Sequence, residues 1–100
     1  MKILFVCNQG EDRSRTAKEL WEKSHPDDEV KYMGIFNPKH SKELLYWADK
    51  IYIMEQMQEA EIKKIDSGLF PKCKILFVEN KYYYNSEELV KLLKSKFRDL

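Results

Sequence analysis

Met1-Lys2-Ile3-Leu4-Phe5-Val6-Cys7, followed by Asn8-Gln9-Gly10-Glu11-Asp12-Arg13-Ser14, is the stretch of this chain that decides its fold class. Residues 3–6 form an unbroken apolar run, the pattern of a strand buried on both faces of a parallel sheet rather than a half-exposed antiparallel one. Residues 75–78 repeat it. Two weaker strand candidates lie between. Residues 30–35 are framed by His25-Pro26-Asp27-Asp28 and Asn37-Pro38, and residues 51–54 follow Asp49-Lys50, so both sit between turn or charge signals.

The segments between these strands carry helical periodicity. Ala17, Leu20 and Trp21 make an i, i+3, i+4 stripe within residues 14–24, and Leu44, Leu45, Trp47 and Ala48 follow Ser41 as an N-cap. Residues 55–65, with Met57, Ala60, Ile62 and Ile65, form a third helix that ends near Gly68, with Pro71 beyond. In the last helix Ser86 caps, Glu87 and Glu88 suit the positive end of the dipole, and Leu89, Leu93 and Phe97 line one face. Lys94, Lys96 and Arg98 suit its other end, and the cluster from Lys91 to Arg98 reads as a solvated helix face. Strict alternation of strand and helix predicts an α/β fold: a three-layer sandwich with a four-stranded parallel sheet, helices on both faces, and strand order 2-1-3-4.

One hundred residues, 43% of them hydrophobic, suffice for a single domain spanning 1–100 and no more. Lys and Arg (18) nearly cancel Asp and Glu (17), so no overall field attracts nucleic acid or a membrane. The five-residue apolar run after Lys2 is shorter than the ~7–15 residues of a signal peptide, and a cytoplasmic location is expected. Cys7 and Cys73 show no metal-ligand spacing with His25 or His40 and are expected to be free thiols; no cofactor is expected.

Cys7 stands at the end of the first strand, where ligands gather in open parallel sheets. The loop after it leads into a helix, so its backbone N–H groups converge on one point at the helix N-terminus, a place for an oxyanion. Gly10 tolerates φ > 0, and the planar fork of Arg13 binds two phosphate oxygens at once. A helix N-terminus and a neighbouring guanidinium both favour thiolate over thiol, which makes Cys7 the candidate nucleophile and the Ser14 hydroxyl a candidate donor to it.

Phe5-Val6-Cys7, five further residues, Arg13-Ser14 and Thr16-Ala17 together resemble the start of the low molecular weight protein tyrosine phosphatases, in particular their short members. Trp47-Ala48-Asp49-Lys50-Ile51-Tyr52-Ile53-Met54-Glu55 is similar to the segment around their third strand. The resemblance implies that Cys7 forms a phosphocysteine, that Asn8, Gln9, Gly10, Glu11, Asp12 and Arg13 bind phosphate through loop amides and the guanidinium, and that Ser14 tunes the thiolate. It implies as substrate a phosphorylated protein, above all phosphotyrosine, or a small phosphate ester.

Two departures stand out. The family's general acid is an Asp after the last strand, whereas the loop here reads Glu79-Asn80-Lys81-Tyr82-Tyr83-Tyr84-Asn85-Ser86, with Glu79 the nearest substitute. A positioned acid contributes ~10²–10⁴-fold. Glu11 and Asp12 place two carboxylates where the larger family has uncharged residues, and Asp12 is a second candidate proton donor. Two other functions therefore stand beside the phosphatase: a phosphate- or phosphoprotein-binding module without useful turnover, and a phosphocysteine carrier of the sugar-transport type, against which Arg13 argues. Arsenate reduction is disfavoured because Cys73 begins the fourth strand while Cys7 ends the first, beyond the ~7 Å limit for a disulfide. Tyr82, Tyr83 and Tyr84 either wall the site or cover the core. Trp21 and Trp47 are expected in the core, and His25 and His40 in exposed turns.

Overall fold

A computed structural model describes all of residues 1–100. The strands are β1 (Lys2–Cys7), β2 (Glu29–Gly34), β3 (Lys50–Ile53) and β4 (Cys73–Ile75), and the helices α1 (Arg13–Ser24), α2 (Leu44–Trp47), α3 (Gln56–Ile65) and α4 (Glu87–Arg98). All strand pairs are parallel, in the order β2-β1-β3-β4. The expected sandwich and strand order are thus observed. β1 lies between β2 and β3, with Cys7 level with Gly34 at one side and Val6 level with Ile53 at the other. The strand order changes direction around β1, so the loop after Cys7 emerges at the switch point of the sheet.

Alternation along β1 divides the core in two. Ile3, Phe5 and Cys7 face a cluster with Ala17 and Trp21 of α1 and Leu89 and Leu93 of α4. Leu4 and Val6 face the other, with Leu45, Ile62 and Leu69. Both faces of β1 are sealed, which is why its sequence is apolar at successive positions rather than at alternate ones. On the first face Phe5 packs against Trp21 (5.8 Å), Tyr52 (5.6 Å) and Phe97 (5.7 Å).

Three boundaries differ from the sequence expectation. α2 is a single turn, because Ser41 Oγ accepts the Glu43 N–H at 3.1 Å and closes a local turn instead of capping a longer helix. Residues 67–72 form a 3-10 turn that includes Pro71. β4 covers residues 73–75 rather than 75–78. The Leu76 and Val78 N–H groups still reach the carbonyls of Ile53 (2.7 Å) and Met54 (2.8 Å), but Phe77 between them has φ +58 and interrupts the strand. Trp21 is buried, while Trp47 is half-buried at the margin of the second cluster, with Lys31 Nζ 4.6 Å above its ring. No helix is long and apolar enough to cross a membrane.

Asp28 fastens the start of β2. It accepts from Trp21 Nε1 at 3.0 Å and from the Met1 ammonium at 3.1 Å, and the first of these bonds, reinforced by the second, holds its carboxyl below the ordinary value of 3.8. A depressed folded-state value stabilises the protein above the ordinary carboxylate range, and that contribution is lost as pH falls through the folded value. Asp28→Asn is therefore expected to lower the melting temperature at neutral pH, with a deficit that shrinks as pH falls through the folded value; a deficit in thermal scans that does not shrink on acidification would contradict this.

Candidate active site

The loop from Cys7 to Arg13 is shaped by two glycines. Gly10 has φ +74, and a Cβ there would stand 2.5 Å from His40 Cε1 and 2.6 Å from the Gly34 nitrogen. Gly34 backs onto Gln9 so closely that a Cβ would overlap the Gln9 backbone. The turn after β2 then grips the loop: the Ile35 N–H donates to the Cys7 carbonyl (2.9 Å), the Phe36 N–H to that of Asn8 (3.0 Å), and Asn37 Nδ2 to that of Gln9 (2.9 Å).

Inside this loop Cys7 Sγ accepts the Gly10 N–H at 3.2 Å and lies 3.0 Å from Ser14 Oγ. Ser14 is fully buried, and its alternative acceptor, the Met33 carbonyl, is farther away at 3.5 Å, so the hydroxyl proton is better placed on sulfur. Two polar groups thus converge on one sulfur. Arg13, only 2% exposed, donates through Nη1 to Glu55 Oε1 (2.5 Å) and to the Val78 carbonyl (2.7 Å). Asn8 Oδ1 accepts from Gln58 Nε2 (2.7 Å), and Gln58 Oε1 accepts the Glu55 N–H (2.7 Å), so the residue that pairs with Arg13 is bonded back to the loop.

A cavity of about 290 Å³ opens over the sulfur, lined by Cys7, Asn8, Gln9, Glu11, Asp12, Arg13 and Asn80. It gathers most of the residues read from the sequence as site candidates. Gly10 contributes from behind through its N–H, and Ser14 lies beneath. Glu79 is exposed and outside the lining; the residue that the β4–α4 loop contributes there is Asn80. Asp12 Oδ1 accepts the Tyr84 N–H (3.1 Å), whereas Glu11 is exposed at the rim without an ion-pair partner.

The three tyrosines separate. Tyr82 packs half-buried on the first cluster, Tyr83 projects into solvent, and Tyr84 donates to Glu19 with Arg15 stacked 4.2 Å above its ring. That hydrogen bond to Glu19, aided by desolvation, pushes the Tyr84 phenol up. Cys73 sits two strands away, paired with Ile51, and burial raises its thiol to about 11. His25 is exposed, stacked on Trp21, as expected. His40 is half-buried against the loop instead of standing free in a turn. Glu55, Gln58 and the Val78 carbonyl carried no local signal in the sequence, because only the closure of the sheet brings them to Arg13.

Comparison with solved structures finds the same architecture over nearly the whole chain. The YwlE arginine phosphatase from Geobacillus stearothermophilus matches 98% of this chain and 90% of its own, with 21% identity and a TM-score of 0.73. Wzb from Vibrio vulnificus, in complex with benzylphosphonate, matches 98% and 94% with 18% identity and a TM-score of 0.83. The low molecular weight protein tyrosine phosphatase SP-PTP from Streptococcus pyogenes matches 98% and 89% with 15% identity and a TM-score of 0.80. The fold is that of the low molecular weight protein tyrosine phosphatases. Neither the protein-family models nor the curated proteins give a match to this sequence.

The close contact between Gly34 and Gln9 sets the width of the loop. Gly34→Ala is expected to cost about 1–3 kcal/mol through overpacking and to push Gln9 inward, weakening binding of inorganic phosphate or vanadate roughly tenfold or more. Titration calorimetry together with thermal denaturation checks both effects, and unchanged anion affinity would show that the loop is not held by this contact.

Proposed function

We propose that this protein is a cysteine-dependent phosphatase that works through a phosphocysteine intermediate. The observation that carries the reading is the Cys7 sulfur at the base of a loop-lined cavity, with the Gly10 N–H and Ser14 Oγ within 3.2 Å of it and a buried Arg13 at its wall. In the first step the thiolate attacks phosphorus in line. The S–P bond forms as the ester P–O bond breaks, and its electron pair leaves on the departing oxygen. Loop N–H groups and Arg13 stabilise the equatorial oxygens as charge spreads over them. Water then attacks the phosphocysteine, releases inorganic phosphate and returns the thiolate, to which Ser14 donates. No step calls for a metal ion.

Phosphotyrosine in a protein, or a small aryl phosphate, is the substrate class that this reading implies, and tyrosine phosphatases are among the structural neighbours. The leaving phenolate needs a proton, for which Glu79 is the nearest carboxyl in the β4–α4 loop. The unpaired carboxylate of Glu11 at the rim favours a second substrate, an N-phosphorylated arginine; one neighbour is an arginine phosphatase. A phosphoguanidinium carries its positive charge beside the phosphoryl group, where Glu11 can accept a charge-assisted hydrogen bond. When its P–N bond breaks, the pair of electrons converts the guanidinium into neutral guanidine, so no proton is required from the enzyme. That chemistry suits a site whose loop presents Asn80 in place of an acid.

Hydrolysis of p-nitrophenyl phosphate, phenyl phosphate and phosphoarginine by the wild type and Cys7→Ser, without metal, tests the reading. Turnover inhibited by vanadate and abolished in Cys7→Ser is expected. Loss of the phenyl ester alone would mean an intact nucleophile without an acid. No Cys7-dependent turnover of any of the three would overturn the enzyme and leave a phosphate-binding module or a phosphocysteine carrier.

Glu11→Gln separates the two substrate classes by opposite signs. Loss of a charge-assisted hydrogen bond is expected to lower kcat/KM for phosphoarginine roughly tenfold or more, while removal of a carboxylate near a dianion raises kcat/KM for p-nitrophenyl phosphate. A fall for both substrates alike would dissociate Glu11 from any preference for a cationic leaving group.

A further inference from the structure

His40 occupies a place that no step of the proposed chemistry uses. It lies six residues beyond the end of β2 and folds back, so that Nδ1 accepts the Gly34 N–H at 2.7 Å. Gly34 ends an edge strand, and because the Ile35 N–H turns toward Cys7 of β1, the Gly34 N–H points away from the sheet. It is buried and would be left without a partner were His40 absent. The same imidazole presents Cε1 to Gly10, 2.5 Å from where a Cβ would stand, and the edge of the Tyr32 ring covers it at 6.1 Å. His40 is thus wedged between the end of β2 and the residue whose own N–H donates to the Cys7 sulfur at 3.2 Å. It does not line the cavity and touches neither the sulfur nor any position a substrate would occupy.

We propose that His40 is a positioning residue for the Cys7 nucleophile. Its neutral Nδ1 anchors Gly34 while its ring edge packs on Gly10, and together these contacts hold the Gly10 N–H aimed at sulfur. The inference rests on the reading of Cys7 as the nucleophile. Its chemical content is specific to one nitrogen: a neutral imidazole has one acceptor, here committed to Gly34, and the proton sits on Nε2. An asparagine at this position places Oδ1 where Nδ1 was and keeps the acceptor. A glutamine places Oε1 near the former Nε2 and leaves the Gly34 N–H bare.

In a Cys73→Ser background, where Cys7 is the only thiol, the rate of alkylation of Cys7 by iodoacetamide at neutral pH and kcat and KM for p-nitrophenyl phosphate are measured for His40, His40→Asn, His40→Gln and His40→Leu. His40→Asn is expected to stay within about twofold of the parent, and the other two to lose roughly three- to tenfold in both alkylation rate and kcat, with KM little changed. Should His40→Leu fail to fold, the comparison of Asn with Gln carries the test. Parental rates in His40→Gln, or losses in His40→Asn as large as in His40→Gln, would overturn the proposal. A parent Cys7 alkylated no faster than free cysteine would overturn the nucleophile reading and this proposal with it, whereas a fast parent indifferent to position 40 overturns this proposal alone.

Discussion

A guanidinium that is only 2% exposed to solvent has to find its counter-charge inside the protein, and the pairing of Arg13 with Glu55 and the Val78 carbonyl meets that requirement. The three residues come from the start of α1, the junction of β3 with α3, and the chain just beyond β4. One side chain therefore joins the segments that leave three of the four strands. The net stability gained from such a pair is small, since desolvation of the ions offsets most of their attraction, but breaking it by removing one partner is costly. Its larger consequence is geometric. Gln58 ties the Glu55 backbone to the Asn8 side chain, so the loop, Arg13 and the N-terminus of α3 form a closed circuit of hydrogen bonds.

The scaffold beneath that circuit explains why it can be rigid. β1 is an interior strand and both its faces are sealed, so the atom that emerges at its end, Cys7 Sγ, is carried by a strand packed on all sides. On one side of the loop the turn after β2 fixes it through three backbone carbonyls, at Cys7, Asn8 and Gln9. On the other side Glu55 and Gln58 fix it through side chains. Carbonyls held outward in this way leave the N–H groups free to turn inward, which is what an anion requires.

The central part of this arrangement was legible from the sequence because its signals are local. An apolar run, a Cys, a Gly three residues on, an Arg-Ser pair and a helical stripe all lie within residues 3–21, and each specifies geometry that neighbours along the chain enforce. Glu55 belongs to a different class: it is 42 residues from Arg13, and although it closes the stretch from Trp47 that resembles the family's third-strand segment, nothing there marks it as the partner of Arg13. His40 read as a turn residue because the Pro-Lys-His-Ser sequence around it is a turn; that the turn folds back on Gly10 follows only from the absence of side chains at Gly10 and Gly34. The end of β4 was misplaced for a related reason. The apolar run 75–78 is continuous, but Phe77 is left-handed and the next carbonyl, that of Val78, is taken by Arg13, a tertiary contact that hydropathy does not encode.

The β4–α4 loop shows how such tertiary ties bound the chemistry available to the site. At its start Val78 is held by Met54 through its N–H and by Arg13 through its carbonyl. At its far end the Tyr84 N–H is held by Asp12 and the Asn85 N–H by Thr16 Oγ1 at 2.9 Å, with the Tyr84 hydroxyl fixed on Glu19. Both ends are thus fastened to the N-terminal half of α1 or to the residue preceding it, and Tyr82 is half-buried in the first cluster. Of the remaining residues Asn80 lines the cavity, Tyr83 projects into solvent, and the Lys81 N–H to Glu79 carbonyl bond at 3.0 Å folds residues 79–81 into a tight turn. Asp12 Oδ1 anchors the far end of the loop through the Tyr84 N–H, so a role for Asp12 as proton donor competes with that tie. Glu79, the other carboxyl read as a donor, is exposed in that turn and outside the lining, so the loop presents Asn80 rather than an acid to the cavity.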